Sequence, residues 1–551
     1  MKRTLFLAAC LCCATCLQAQ SLNAAWGSKD VRYAQDQVPA KTQKKAQLTG
    51  WKGEKVHTQA VAWTTSEVKD LNLELTTFTN GQKQTLPEGA VTAAFERYVM
   101  TDQLNLDGRG GCGARPDHSI YDSLMVADGI DPSIRQMDLS AGATQPVWVS
   151  CQIPADAKGT YTGKLLVKSG TRVLRELPLS IQVQNHTLPA PEDWTFHLDL
   201  WQNPYSVARY EQVPVWSEAH MEALRPIMTR LAQAGQKVIT CSITHKPWNG
   251  QTEDPFESMV TWFKKLDGTW TFDYAVFDRW VEFMMSVGIQ EQINCYSMVP
   301  WGLTFQYFDQ RTNQMQEIQC SPGTPEYDDM WVAMLKDFSQ HLRSKGWFQK
   351  CAIAMDERPN EVMQKAMAVV QKADPEFKVS LAGDYHRELA DGLYDYCITF
   401  GQNFPADVKA ARDARGQVST LYTCCTEAWP NTFTFSAPAE ATWIGFYIAK
   451  QNLNGYLRWA YNSWPADPMN DSRFRSWAAG DTYLVYPGNL TSIRFERLIE
   501  GIQNWEKIQI LKQEGKSKQI DRMLQLFDLT QLPEVPASQM VNQAEKILNG
   551  L

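Results

Sequence analysis

Beyond residue 20 the sequence has no CxxC pair, and its 551 residues include only eight histidines. That excludes the common ligand spacings of structural and catalytic zinc, and Cys424 and Cys425 side by side are poor joint ligands for one tetrahedral ion. No stretch after the first twenty residues reaches the roughly 18 uninterrupted apolar residues of a membrane-spanning helix. Basic charge is not in surplus either. With a formal net charge of -8 and an isoelectric point near 5.6, nothing electrostatic draws the chain to nucleic acid or an acidic membrane surface. The glycine-rich stretch GRGGCGARP (Gly108 to Pro116) lacks the Lys-Ser/Thr ending and strand-to-helix setting of a phosphate loop, and no dinucleotide-type glycine turn occurs elsewhere. No cofactor and no metal is expected.

What is abundant is aromatic side chain: 20 Trp, 19 Tyr and 22 Phe. Most must fill cores, of which a chain this long needs more than one, but flat rings with polar edges also suit the faces of sugars. The opening MKRTLFLAACLCCATCLQAQ has a basic start at Lys2 and Arg3, an apolar stretch from Leu5 to Leu17 and a small residue at Ala19. It reads as a secretory signal covering residues 1–20, which predicts export to the periplasm or the cell surface. Leu7-Ala8-Ala9-Cys10 resembles a lipoprotein box, but cleavage there would leave an apolar region of only a few residues, so lipidation is the weaker reading. Of the thirteen cysteines, four lie in that segment. The remaining nine cannot all pair, and they read mainly as small apolar residues.

Three regions follow. Residues 21–190 show short alternating runs broken by turn residues, as in QPVWVSCQI (Gln145 to Ile153) and TYTGKLLVK (Thr160 to Lys168), with Ser169-Gly170 as a hairpin turn; this pattern predicts a β-sandwich. Residues 191–490 alternate short apolar strands with segments of helical period, and eight strands can be counted, beginning at His197, Lys237, Gln292, Lys350, Lys378, Tyr394, Val418 and Gly455. Eight is the number that closes a (β/α)8 TIM barrel, with strand ends gathered at one mouth. Residues 491–551 read as a C-terminal helical extension, a cap on the barrel.

The sharpest chemical feature is AMDERP (Ala354 to Pro359), an apolar strand ending in two consecutive carboxylates where barrel enzymes keep their catalytic groups. Paired acids suit glycosidic bond cleavage, in which one protonates the leaving oxygen and a second group stabilises positive charge at the anomeric carbon. Neighbouring strand residues point to opposite faces, so Asp356 and Glu357 share a site only if the strand ends and turns there, as Pro359 favours. The plainer alternative is that Asp356 caps the next helix and Glu357 is solvated. Further candidates at strand ends are Trp201 and Asn203, His245, Tyr296 and Trp301, Asp384 and Tyr385, Tyr422 and Trp429, then Trp459, Tyr461, Asn462 and Trp464, with Asp467 beyond. Each taken singly is as well explained by packing. Together at one mouth they would supply the rings and polar groups a sugar pocket needs.

AMDERP, LRWAYNSWPADP (Leu457 to Pro468), GDTYLVYPG (Gly480 to Gly488) and SIRFERLIEGIQNWEKI (Ser492 to Ile508) together resemble glycoside hydrolase family 123, the β-N-acetylgalactosaminidases. The likeness spans nearly the whole mature chain. It departs at Gln503-Asn504-Trp505, where relatives commonly carry Glu-Asp-Tyr, and at Arg358, which often gives way to proline. The resemblance implies a retaining, exo-acting enzyme that releases terminal β-linked N-acetylgalactosamine by substrate-assisted catalysis through an oxazolinium intermediate. On that reading Asp356 orients the 2-acetamido group, Glu357 is the general acid/base, and Tyr422, Trp459 and Tyr461 are candidates for the acetamido pocket. Asp384, Asn462 and Asp467 are candidates for the C4 hydroxyl. Another β-N-acetylhexosaminide as substrate, or a non-catalytic glycan-binding role, stays open at this point.

Overall fold

A computed structural model describes residues 22–104 and 121–551. The opening segment read as a secretory signal and the glycine-rich stretch Gly108 to Pro116 lie outside the described residues.

The N-terminal region is a sandwich of two sheets. One is centred on Lys55–Trp63, Thr144–Gln152 and Val91–Asp102, and the other on Gly159–Ser169 and Arg172–Thr187. In the last strand Leu177, Leu179, Ile181 and Val183 are buried while the residues between them are not, the period of two that packs one face on a core. The expected hairpin turn is present, with Gly170 at φ 55°.

Eight parallel strands then form the barrel: β1 (His197–Leu200), β2 (Val238–Ser242), β3 (Gln292–Tyr296), β4 (Cys351–Asp356), β5 (Lys378–Gly383), β6 (Asp395–Thr399), β7 (Val418–Tyr422) and β8 (Gly455–Arg458). Neighbours pair in sequence from β2 through β8, and β8 pairs with β1. The seam between β1 and β2 is different. One main-chain bond joins them, Lys237 N to Leu198 O at 3.0 Å, and beyond it two buried glutamine side chains take over. Gln236 accepts from Leu200 N at 3.0 Å and donates to Val238 O at 2.7 Å; Gln202 accepts from Thr240 N at 2.9 Å and donates to Leu200 O. The amides thus satisfy backbone groups that a splayed strand pair would orphan. Replacing Gln236 with leucine keeps the bulk but strands the Leu200 N–H inside the wall. It should cost about 1–3 kcal/mol, read as a lower unfolding temperature.

Two features were not foreseen. A separate four-stranded sheet, Thr261–Lys264, Trp270–Asp273, Thr304–Asp309 and Gln314–Gln319, grows from the connections after β2 and β3. And the tail does not simply cap the barrel. Thr491–Ser492 joins the sandwich as an edge strand beside Ser123–Asp131, and the helix Ile493–Leu511, capped by Ser492 Oγ, lies between barrel and sandwich. It packs on the barrel helix Ala439–Lys450 where Gly445 meets Gly501 so closely that a Cβ on Gly445 would come within 2.3 Å of the Gly501 carbonyl. Towards the sandwich it is pinned by ion pairs: Lys55 to Glu496 at 2.7 Å, Lys29 to Glu500 at 2.9 Å, Asp30 to Arg497 at 2.9 Å, Asp128 to Arg494 at 3.0 Å, and Glu54 to Lys507. The atypical Gln503 belongs to this contact, bonding both N and O of Lys55.

Cys151, Cys241, Cys295, Cys320, Cys351 and Cys397 are buried thiols, as apolar filler should be. Cys425 is disulfide-bonded. Among the described residues no helix is long and apolar enough to cross a membrane, and no cluster of His, Cys, Asp and Glu has the arrangement to hold a metal.

Candidate active site

The strand ends surround a narrow pocket, open to solvent and lined by Trp201, Trp301, Trp459, Trp477, Tyr422 and Gln251 around Asp356 and Glu357. A larger polar cleft between the sandwich and the tail helices shares no lining residue with it. That cleft is dominated by charges already paired across the domain contact, whereas this pocket combines apolar walls with two acids, the composition of a ligand site.

The two acids enter one space because β4 ends at Asp356 and Glu357 takes a left-handed backbone conformation, φ 48°. That conformation is uncommon for a residue with a side chain and is found disproportionately at functional sites. Here it cancels the alternation that would send consecutive side chains to opposite faces. The turn is secured by a bond from Glu357 N to Ala382 O at 2.7 Å. Gly383 of β5 packs beside it, where a Cβ would touch the Glu357 Cα at 3.4 Å.

The acids differ in surroundings. Burial, then the adjacent Glu357 carboxylate, pushes the Asp356 carboxyl well above its usual range, and the Arg358 guanidinium opposes this. The indole N–H groups of Trp248 and Trp301 face Asp356 and have no other partner. Glu357 is more exposed and accepts a hydrogen bond from the Tyr422 hydroxyl at 3.0 Å.

Beneath the acids, Trp201 packs on Trp248 and Tyr296 with ring centroids 4.6 and 4.7 Å apart, forming a rigid aromatic floor. Trp459 forms part of the wall and donates its N–H to Asp481 at 3.3 Å. Asp481 is fully buried and paired with Arg458 at 2.6 Å, which in turn bonds Thr423 and Asn431, so the wall is braced from inside the barrel.

Of the residues singled out from sequence, Asp356, Glu357, Trp201, Trp301, Tyr422 and Trp459 line the pocket, and Tyr296 lies in its floor. Asp384 stands behind the lining, bonded to Thr399 at 3.0 Å. The others are placed elsewhere. Asn203 is buried, caps the helix Pro204–Tyr210 and bonds Asp254 O and Ser463. Asn462 is locked to both the N and O of Asn203. Tyr461 donates to Ile227 O at 3.0 Å and Trp464 to Val485 O at 2.8 Å, both inside the core. Tyr385 stacks on Tyr396, Trp429 packs on the main core, His245 pairs with Glu257 at 2.6 Å, and Asp467 is exposed, bonded to Asn470. Gln251, Trp477 and Trp248 were missed. They sit in long connections without periodicity, and no sequence signal marks them.

The model of the glycoside hydrolase 123 catalytic domain matches residues 201–511, and that of the glycoside hydrolase 123 N-terminal domain matches residues 26–169. Among solved structures, a family 123 glycoside hydrolase from Clostridium perfringens, studied for glycolipid glycan hydrolysis, is 26% identical, with a TM-score of 0.87 over 96% of this chain and 97% of that one. A family 39 glycoside hydrolase from Bacteroides cellulosilyticus is much less similar, with 10% identity and a TM-score of 0.34 over 79% of this chain and 80% of that one. No curated protein matches.

Proposed function

Because the chain belongs to glycoside hydrolase family 123, we propose that it is a retaining, exo-acting β-N-acetylgalactosaminidase working by substrate assistance, with Asp356 orienting the 2-acetamido group and Glu357 as general acid/base. That it is a glycoside hydrolase follows from the family. The finer reading is supported by one observation: the only carboxylates lining the pocket among the described residues are two neighbours at a single strand end. A conventional retaining enzyme needs a nucleophilic carboxylate about 5–5.5 Å from the acid, across the scissile bond. Two acids presented from one turn approach the sugar from one side, so the nucleophile must come from elsewhere. The 2-acetamido oxygen of the substrate can supply it.

In this reading the acetamido N–H donates to Asp356 as the sugar binds and favours its ionised form, with Glu357 carrying the proton that the leaving group needs. Glu357 then protonates the departing oxygen while the acetamido carbonyl closes on C1. The positive charge that develops on the oxazolinium nitrogen is met by Asp356 in a water-poor pocket. Glu357, now a base, takes a proton from the water that reopens the ring, so C1 is inverted twice and the product anomer is retained. Trp459, held by Asp481, and Trp301 give the ring apolar faces, and Tyr422 stands beside Glu357. The related enzyme studied for glycolipid glycan hydrolysis makes glycosphingolipid-type oligosaccharides the first glycans to try, and the signal sequence fits action on material outside the cytoplasm.

The test is hydrolysis of three chromogenic β-glycosides. The N-acetylgalactosaminide should be cleaved, a galactoside differing only at C2 should be inert, and a galactosamine-derived thiazoline should inhibit as a mimic of the cyclic intermediate. Preference for the N-acetylglucosaminide would move the assignment to another hexosaminide. Cleavage of the galactoside would remove substrate assistance altogether.

A further inference from the structure

Four oxygens stand in a row behind the pocket: Glu357 Oε1, Tyr422 Oη, Thr399 Oγ1 and Asp384 Oδ1, separated by 3.0, 3.1 and 3.0 Å. From this row we infer that Thr399 and Asp384, which do not line the pocket, act as positioning residues that decide where the proton of the acid pair sits. The inference rests on Glu357 being the acid/base.

The argument is a count of protons. Three links join the four oxygens, and the two hydroxyls carry one proton each. With both end carboxylates ionised, two protons serve three links, and one pair of oxygens faces without a hydrogen between them. With Glu357 protonated, every link is filled in one direction: Glu357 donates to Tyr422, Tyr422 to Thr399, and Thr399 to Asp384. The opposite filling needs the proton on Asp384. That end is built to accept: Gln402 Nε2 donates to the same Asp384 oxygen at 2.8 Å, beside the Thr399 hydroxyl. The Gln402 amide is not free to flip, since its oxygen accepts from Tyr385 N at 2.6 Å. Burial also raises the Tyr422 phenol, so it relays a hydrogen bond and does not ionise. A complete row therefore favours a proton on Glu357, the form the first chemical step requires, over one on Asp356.

Other charged or titratable groups facing Glu357 are Asp356 and Arg358 from its own strand end and Cys424 after β7. Asp384 has Tyr396 against it, whose hydroxyl donates to the Asp384 carbonyl at 2.6 Å. Cutting the row at Thr399 leaves these neighbours in place, so it isolates the effect of the row.

The experiment is the pH dependence of kcat/KM, which reports the free enzyme, on a glycan with an unactivated leaving group. In Thr399→Val, Tyr422 has only Glu357 to donate to and favours its ionised form. The alkaline limb should move about 0.5–1 pH unit towards acid, the equivalent of one hydrogen bond. Asp384→Asn, which leaves the shape but removes the anion, should move it the same way. Thr399→Ser, which restores the hydroxyl, should return the limb to the wild-type position. A limb in Thr399→Val that coincides with wild type, a shift of Asp384→Asn towards alkali, or a serine variant that behaves like valine would each overturn the inference. Glu357→Gln, assayed on an aryl glycoside, separates this from the underlying assignment. If the alkaline limb vanishes there while Thr399→Val matches wild type, only the row fails. If the limb persists there, the acid/base assignment fails and takes the row with it.

Discussion

Glu357→Gln is expected to lower kcat/KM on natural glycans by about 10²–10⁴-fold, the usual worth of a positioned general acid, while an aryl glycoside with a good leaving group keeps much of its first step. Glutamine preserves the size of the side chain and can still accept from Tyr422, so the turn at φ 48° and the pocket wall should survive. The contrast between leaving groups carries the argument. A departing alkoxide needs a proton, whereas a nitrophenolate leaves without one. Steady-state rates on the two substrate types, with a folding check by thermal unfolding, decide it. An equal loss on both would take Glu357 out of the acid role, and near-wild-type rates would take it out of the site.

Asp356→Asn should fail differently. A neutral amide cannot offset the charge developing on the oxazolinium nitrogen, so cyclisation slows by about 10²–10³-fold whatever the leaving group. The loss should appear in kcat on aryl and natural glycosides alike. Because burial and the Glu357 charge raise the Asp356 carboxyl, the substitution also takes that raised acid out of the pH profile. The stereochemical counterpart is a product whose first-formed anomer is retained. An inverted first product by NMR, or a sugar bound covalently to an enzyme carboxylate, would refute the orienting role of Asp356.

The barrel and its acid pair were legible because they rest on local, periodic signals: an apolar run, a pair of acids, then proline. The left-handed turn that makes the pair useful was not legible. It depends on the Ala382 carbonyl in the next strand accepting from Glu357, a contact between segments some 25 residues apart that no local pattern records. The eighth strand shows the opposite error. GYLRWAYNSW reads as one apolar strand to Trp464, but the ladder stops at Arg458, and the chain beyond turns into the core. Tyr461, Asn462 and Trp464 were therefore assigned to the mouth, when they stitch the start of the barrel to its end. Rings and amides that bind sugars and those that close a fold are the same residues. Only their partners tell them apart.

The ion pairs along Ile493–Leu511 have a consequence for how this protein can be taken apart. Glu496, Arg497 and Glu500 are buried, and each has its counter-charge on the sandwich. A barrel expressed without residues 22–190 would strip Glu496 of its lysine, leave Arg497 and Glu500 with only each other, and open to water a helix face that the whole chain keeps buried. The sandwich expressed alone would lose its edge strand at Thr491–Ser492. Neither half is an interchangeable part, and the sandwich is as much a foundation of the catalytic unit as the barrel it precedes.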